Sequence, residues 1–194
     1  MRRNLISLTG LFFAVALVLP TIARAADNYK VDSVHSFVVF NIDHLGLNKA
    51  WGRTAGPSGS LMIDDADPSK SKLAVEVAAD SIDTGNAGRD KHLKGPDFFD
   101  VKQFPKIAFN STQVRKSGDN TYEVTGEFNL HGQSKPVTVT LTKLGEGDKG
   151  PQMGHRAGYG TEFTLKRSDF GMTTMQGMVG DEVKIYVNLE AVKQ

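Results

Sequence analysis

An alternation of apolar and polar residues recurs between residues 36 and 189, and it constrains the fold more than any other feature. In the clearest stretch, residues 122–130, apolar or small residues at even positions alternate with Glu, Thr or Asn. Because successive side chains of a strand point to opposite faces, this pattern predicts strands with one buried and one solvated face. The predicted strands span 36–44, 52–63, 73–79, 106–114, 122–130, 137–141, 157–165 and 183–189.

Short polar or glycine-bearing segments join these eight predicted strands, so the pattern predicts an all-β fold with antiparallel neighbours. Closing eight strands into a barrel removes the unpaired sheet edges. Two sheets packed as a sandwich are the alternative, because alternation alone does not distinguish the two layouts. The high glycine content favours the barrel slightly, since bends and bulges need positions without a Cβ atom.

One segment, residues 86–94, lacks the alternation, and it predicts the single short helix of the chain. Asn86 is a suitable N-cap, and Gly95-Pro96 ends the helix. Three aromatic residues follow on a connection that should lie near the surface: Phe98, Phe99 and Phe104. They either pack this helix over one end of the barrel or form an apolar lid over a ligand.

The first 25 residues have the pattern of a secretory signal peptide. Arg2-Arg3 precedes an apolar run that ends at Pro20, and the small-x-small sequence Ala23-Arg24-Ala25 follows. A membrane anchor needs roughly 20 apolar residues, which this run does not reach. We therefore divide the chain into a signal peptide, residues 1–25, and one domain, residues 26–194, and expect export, cleavage after about Ala25 and no stable membrane insertion afterwards.

Charge and cysteine content exclude several classes of function. The chain has 23 Lys and Arg against 22 Asp and Glu, and cleavage of the leader would remove three of the Arg. A slightly acidic chain without runs of like charge attracts neither nucleic acid nor an anionic membrane over long range. The absence of Cys excludes disulfide scaffolds, zinc ribbons and thiol enzymes.

No motif points to catalysis or to a resident metal. No two of the five histidines have the spacing of a metal site, and there is no Gly-x-Ser-x-Gly elbow or phosphate-binding glycine loop. On one strand, His35 and His44 would lie on opposite faces. We therefore expect no catalytic residues, no metal and no cofactor. The alternative is an enzyme acting on an apolar ligand, with His35, His44 or Asp43 transferring protons.

A family resemblance rests on short segments that occur in order over residues 29–193. The segments are Val31-Asp32-Ser33-Val34-His35-Ser36, His44-Leu45-Gly46, Ser81-Ile82-Asp83-Thr84-Gly85-Asn86, Arg89-Asp90-x-His92-Leu93, Phe98-Phe99-Asp100-Val101, Phe104-Pro105, Gly126-x-Phe128-x-Leu130-x-Gly132-x-x-Lys135-Pro136-Val137, Arg167-Ser168-Asp169-Phe170-Gly171-Met172 and Val179-Gly180-Asp181-Glu182-Val183. Together they resemble the YceI family of lipocalin-like, polyisoprenoid-binding periplasmic proteins.

The resemblance implies an extended, lipocalin-like eight-stranded antiparallel barrel with an apolar tunnel that holds an isoprenoid quinone precursor, a fatty amide or a similar amphiphile. It implies a non-catalytic carrier, storage or stress role in the periplasm, and it allows a homodimer, since family members can dimerise. Thr54 and Pro57 stand where members often carry Phe, and this departure could widen one end of the pocket or shift its ligand preference. A barrel filled by its own side chains, with a structural role, stays open as an alternative.

The inward faces of the predicted strands supply the candidate ligand-binding residues. Those assigned to the tunnel wall are Val38, Phe40, Ile42, Val75, Val77, Tyr122, Val124, Phe128, Tyr159, Phe163, Ile185 and Val187. Those assigned to the portal are Phe98, Phe99, Phe170, Met172 and Met175, Met being adaptable to varied apolar partners. Arg167 and Asp169 are expected to form a structural ion pair at a strand end.

Overall fold

The computed structural model describes residues 26–194, so the predicted signal peptide lies outside the described residues. Within this range, no helix is long and apolar enough to cross a membrane. The elements are β1 (Asp27–Val31), β2 (Phe37–His44), β3 (Asn48–Arg53), β4 (Ser58–Ile63), β5 (Lys72–Ala78), α1 (Ala87–Leu93), β6 (Lys106–Lys116), β7 (Thr121–Leu130), β8 (Gln133–Asp148), β9 (His155–Lys166) and β10 (Val179–Lys193), with 3₁₀ turns at Pro68–Lys70, Ala79–Ser81 and Arg167–Phe170.

Eight of the strands form a closed barrel. Neighbouring strands pair antiparallel in the order β1-β4-β5-β6-β7-β8-β9-β10, and β10 pairs with β1 to complete the circle. At this seam Tyr29 lies opposite Lys193 and Val31 lies opposite Ala191. The barrel is therefore confirmed, and the sandwich is wrong. Closure satisfies the backbone groups that an open sheet would leave unpaired at its edges.

The hairpin of β2 and β3 extends one end of this barrel. Strand β10 pairs with β1 near its C-terminus and with β2 over Val179–Asn188, so β1 and β2 lie one after the other along a single neighbour. Strand β1 was not among the predicted strands, and the single strand predicted over 52–63 is divided into β3 and β4. The break contains Pro57, which has no N–H to donate to a sheet.

The predicted helix is confirmed as α1, in the connection between β5 and β6. The Asn86 side chain accepts a hydrogen bond from the Arg89 N–H at 2.9 Å, which makes it the N-cap. The loop before α1 pairs with the end of β3, where the backbones of Arg53 and Asp83 exchange two hydrogen bonds of 2.9 Å. This connection therefore covers the end of the barrel that the β2–β3 hairpin extends.

Two clusters of buried side chains form the core. The larger lies toward the end of the barrel closed by β1 and includes Tyr29, Leu61 and Tyr159. The smaller lies toward the α1 end and includes Phe128 and Phe170. Both clusters pack against Phe109, Val137 and Phe163 on the barrel wall.

A group of polar side chains closes the β1 end of the barrel. Glu146 accepts a hydrogen bond from Tyr29 Oη at 2.7 Å, lies 2.9 Å from His155 Nε2 and pairs with Lys143. Burial alone would raise the pKa of Glu146, but the hydrogen bonds from Lys143, Tyr29 and His155 outweigh it and lower the pKa to about 2. The carboxylate is therefore ionised in the folded protein even in moderate acid.

We expect Glu146→Gln to make the protein less sensitive to acid. Because the folded pKa lies below the ordinary value of 4.5, the stabilisation is fully present above pH 4.5 and is lost as the pH falls toward about 2. Urea unfolding at a series of pH values should show a lower free energy of unfolding at pH 7 and a flatter decline in acid. Glu162→Gln, on an exposed side chain paired with Lys184, is the control and should leave the pH profile unchanged. A wild-type acid profile in Glu146→Gln would contradict this prediction.

Candidate functional site

The interior of the barrel contains a cavity of about 880 Å³. Inward-facing apolar side chains of β2, β5, β6, β7, β8, β9 and β10 form its wall, and α1 and residues 171–179 border its outer end. Packing voids in protein interiors are rarely larger than a water molecule, whereas sites for small ligands occupy about 300 to 1,000 Å³. This interior is therefore not filled by its own side chains.

Most of the predicted wall residues lie on this cavity. Two do not: Tyr122 and Tyr159 belong to the larger core cluster and lie outside the residues that line the cavity. Tyr122 Oη donates to Asp65 at 3.1 Å, so this hydroxyl lies among the polar side chains at the β1 end of the barrel. The ten residues that line the cavity are Val38, Phe40, Ile42, Val75, Val77, Val124, Phe128, Phe163, Ile185 and Val187.

Four of the five predicted portal residues also border the cavity: Phe98, Phe99, Met172 and Met175. Phe170 does not. Its side chain is 1% exposed and packs edge-on against Phe128, with ring centroids 5.7 Å apart. The 3₁₀ turn Arg167–Phe170 directs this side chain into the core and not toward the outer end of the cavity. Phe170 therefore packs behind Phe128, a residue of the cavity wall.

The aromatic segment after α1 both packs the helix and borders the cavity. Phe98 lies edge-on against His92 of α1, with ring centroids 5.0 Å apart, and is 6% exposed. Phe104 packs instead against His131, in the turn between β7 and β8. In that turn Gly132 has a φ of +71°, and a Cβ atom there would lie 2.4 Å from the Phe104 ring, so a glycine is required.

Arg167 is a cavity residue whose contacts differ from the prediction. Its side chain is 3% exposed and donates hydrogen bonds to four backbone carbonyl oxygens of the segment that follows it. The acceptors are Met172, Thr174 and Gly180 at 2.8 Å and Val179 at 3.1 Å. One guanidinium group, with five N–H donors in a planar fork, therefore holds both ends of residues 172–180.

The predicted ion pair between Arg167 and Asp169 is wrong. Asp181, not Asp169, is the carboxylate that acts electrostatically on Arg167, and it accepts hydrogen bonds from the Ser168 N–H and hydroxyl. Desolvation lowers the pKa of Arg167, although the group stays charged at neutral pH. The outer part of the cavity wall thus carries a buried positive charge that is bonded to neutral carbonyl groups.

Further polar groups that were not among the predicted site residues border the same outer end of the cavity. They include Thr84, Arg89 and His92, which the α1 connection brings over the barrel. Arg89 Nε donates to Thr84 Oγ1 at 2.7 Å. Periodicity gives no information about where a connection between strands lies, so only the N-cap pattern marked this segment as ordered.

One hydroxyl group on the cavity wall has no hydrogen-bond partner. Among residues 26–194, the buried side-chain oxygens without a partner are Tyr159 Oη and Thr161 Oγ1, and only Thr161 borders the cavity. An unpaired buried hydroxyl costs roughly 1 to 3 kcal/mol, so a polar atom of a ligand near Thr161 would recover part of that cost. The sequence signal for this residue is that Thr161 lies between Tyr159 and Phe163 on the inward face of β9.

The structure separates the groups of the enzyme alternative. His35 lies before β2, outside the residues that line the cavity, and its Nδ1 is 2.9 Å from Asp32. His44 and Asp43, by contrast, border the cavity at the end of β2. His35 therefore shares no site with His44.

Asp32, His35 and Glu190 have ligand atoms close enough together to hold a metal ion. Arg156 already lies among them, since its Nη1 donates to Asp32 at 2.7 Å and also pairs with Glu190. Hydrogen bonds from His35 and Arg156 hold the pKa of Asp32 well below its usual range. Arg156 thus supplies the positive charge that a metal ion would bring to these carboxylates. The cluster joins residues 32–36, the β1–β2 break, to β9 and β10.

The two positions where Phe was expected from the family resemblance lie in the break between β3 and β4. Thr54 borders the cavity, whereas Pro57 is buried. The Thr54 N–H donates to the Val38 carbonyl at 3.1 Å, which keeps this residue against β2. A wider pocket at this point stays a prediction.

Comparisons with known proteins agree with this architecture. Residues 29–191 match the YceI-like domain family. The chain is 37% identical to Protein YceI of Salmonella arizonae over 196 aligned residues, which cover both proteins completely. Burkholderia cenocepacia BcnA is a similar solved structure, with a TM-score of 0.76, 26% identity and coverage of 84% of this chain and 99% of that chain.

A polyisoprenoid binding domain from Saccharophagus degradans, implicated in plant cell wall breakdown, shares the fold with a TM-score of 0.65. The aligned region covers 86% of this chain and 98% of the Saccharophagus domain. Because the two are only 14% identical, the likeness concerns the fold alone.

Proposed function

The chain belongs to the YceI-like domain family, as the sequence segments indicated, and from that premise we propose that it binds an isoprenoid or another long-chain apolar amphiphile inside the barrel. The observation that carries this proposal is the cavity of about 880 Å³, whose inner wall is apolar and whose charged groups lie toward its outer end. The polyisoprenoid binding domain with the same fold supports the proposal.

The chemistry of the wall favours a ligand with an apolar chain and a polar head. Burial of apolar area stabilises by roughly 25 cal/mol per Å², so an extended hydrocarbon chain gains from the inner cavity. A polar head near Arg167 and Arg89 would face two positive charges, which suits a carbonyl, hydroxyl or acidic group. The ligand would therefore lie with its chain inward and its head toward α1.

The proposed role is binding without catalysis, in a protein exported to the periplasm. The pattern of residues 1–25 supports export. The separation of His35 from the cavity removes one of the three groups on which the enzyme alternative depends. Carriage, storage and a stress role are all compatible with this binding.

Purified protein expressed in its native host should yield about one equivalent of an apolar compound on extraction with organic solvent, identified by mass spectrometry. Val187→Trp should reduce this yield strongly, because Val187 borders the cavity and the indole would occupy the space of the ligand. Tyr186→Trp is the matched control, since the adjacent side chain points to the outer face of β10 and stacks on Trp51.

Circular dichroism would establish that both variants are folded. An empty wild-type protein that also fails to bind prenyl and acyl probes would contradict the proposal. Equal ligand yield from Val187→Trp and wild type would place the ligand elsewhere. Recovery of a chemically altered probe would support the enzyme alternative instead.

A further inference from the structure

Two loops at the outer end of the cavity expose large apolar side chains. The first is the turn between β2 and β3, where Leu45 is 47% exposed and Leu47 is 84% exposed. The second precedes β10, where Met175 is 38% exposed and Met178 is 49% exposed. We call these four side chains the apolar tip.

The apolar tip is a single, ordered feature. The Leu45 N–H donates to the Met178 carbonyl at 2.8 Å, which joins the two loops. Within them, the Leu47 N–H donates to the His44 carbonyl and the Val179 N–H donates to the Met175 carbonyl. Leu45 and Met175 both have a φ of 59°, a left-handed conformation that is uncommon for such side chains. The fold therefore holds Leu45 and Met175 in place at a conformational cost.

The composition of the two loops is unusual for a solvated surface. Residues 44–48 and 171–180 contain no Asp, Glu, Lys or Arg, although the ion pair of Asp43 and Lys49 flanks the first loop and Asp181 flanks the second. Isolated exposed apolar side chains are ordinary, whereas the largest contiguous apolar patch of a soluble protein is often a surface that contacts a partner, a ligand or a membrane.

The apolar tip is continuous with the cavity. Met175 borders the cavity and also belongs to the tip, and His44 and Val179, which flank the other tip residues, line the cavity as well. An apolar ligand that leaves or enters at this end would avoid water only if the tip were in contact with its source.

From this continuity we infer that the apolar tip docks on the surface of a lipid bilayer, with its side chains in the interfacial region. This inference rests on the proposed function, and it identifies where the ligand is exchanged. A second copy of the chain is a weaker occupant, because four partly exposed side chains present only on the order of a few hundred Å². A standard protein interface buries roughly 800 Å² on each partner.

Vesicle flotation with protein of residues 26–194, which contain the whole closed barrel, tests this inference. One set of vesicles contains phosphatidylcholine alone, and the other contains phosphatidylethanolamine and phosphatidylglycerol. Wild type should float with both sets, because apolar insertion does not require anionic lipid. Leu47→Glu should weaken binding by about tenfold or more, since a charge replaces a large inserting side chain.

Val34→Glu is the matched control, because Val34 is 74% exposed but lies in the β1–β2 break, away from the tip. It should float like wild type. Wild type that stays in solution with both vesicle sets would overturn the inference, as would equal loss of binding in Val34→Glu. A dimer in light scattering that Leu47→Glu dissociates, without vesicle binding, would assign the tip to self-association instead.

Ligand extraction from the same proteins keeps this inference distinct from the proposed function. Leu47→Glu should retain its bound apolar compound while losing vesicle binding, since Leu47 does not border the cavity. If no variant contains a ligand, the proposed function fails, and the vesicle result still reports on the tip.

Discussion

Arg167→Ala is expected to lower the free energy of unfolding by about 3 kcal/mol. The substitution removes one buried guanidinium group and leaves four carbonyl oxygens without their donor. Those carbonyls belong to residues 172–180, so the loss should also loosen the loop that carries Met175 and Met178. Urea unfolding measures the first effect. Faster hydrogen exchange at the Met178 and Val179 amides, which donate to the Met175 carbonyl, measures the second.

Arg167→Lys separates charge from geometry at the same position. Lysine keeps the charge but offers donors from a single nitrogen, so it cannot reach carbonyls on both sides of the loop. We expect intermediate stability and exchange. Arg53→Ala, at an exposed arginine paired with Asp83, should have a much smaller effect on stability. Wild-type stability and exchange in Arg167→Ala would show that the four hydrogen bonds do not hold this loop.

Phe170→Ala is expected to cost about 3 to 5 kcal/mol of stability, the range for truncating a buried phenylalanine. The side chain is 1% exposed and packs against Phe128, which in turn packs against Phe163 at 6.0 Å. The Phe170 carbonyl also lies 3.0 Å from His131 Nδ1, and this backbone contact survives the substitution. Chemical denaturation should therefore show a large loss in a protein that still folds.

Ligand extraction from Phe170→Ala distinguishes a core role from a portal role. Because Phe170 does not border the cavity, the folded variant should retain its ligand. Phe37→Ala, the same truncation at a residue that is 58% exposed, should change stability little. Loss of ligand without loss of stability would restore Phe170 to the portal, where the sequence analysis placed it.

Local patterns were sufficient for much of the fold. The alternation in residues 122–130 places Val124 and Phe128 on the inward face of β7, as the structure shows. Asn86 marks the start of α1 because a side-chain cap acts over three residues, within one turn of helix. Such interactions depend only on residues close in sequence, and they can therefore be recognised without the tertiary structure.

The candidate site divides in the same way. Val38, Phe40 and Ile42 lie on the cavity because strand periodicity determines which side chains share a face. Tyr122 and Tyr159 satisfy the same periodicity but do not line the cavity, since periodicity does not give the depth of a residue along the barrel axis.

The sequence by itself determined the faces of the strands, the position of α1 and the family, because these depend on local periodicity, capping and motifs in a fixed order. Only the tertiary structure decided that β10 pairs with β1 to close the barrel, and that the interior holds a cavity. The partners of Arg167 and the joining of Leu45 to Met178 were decided there too. Each of these results depends on groups far apart in the chain or on the space that several strands enclose together, which no local pattern records.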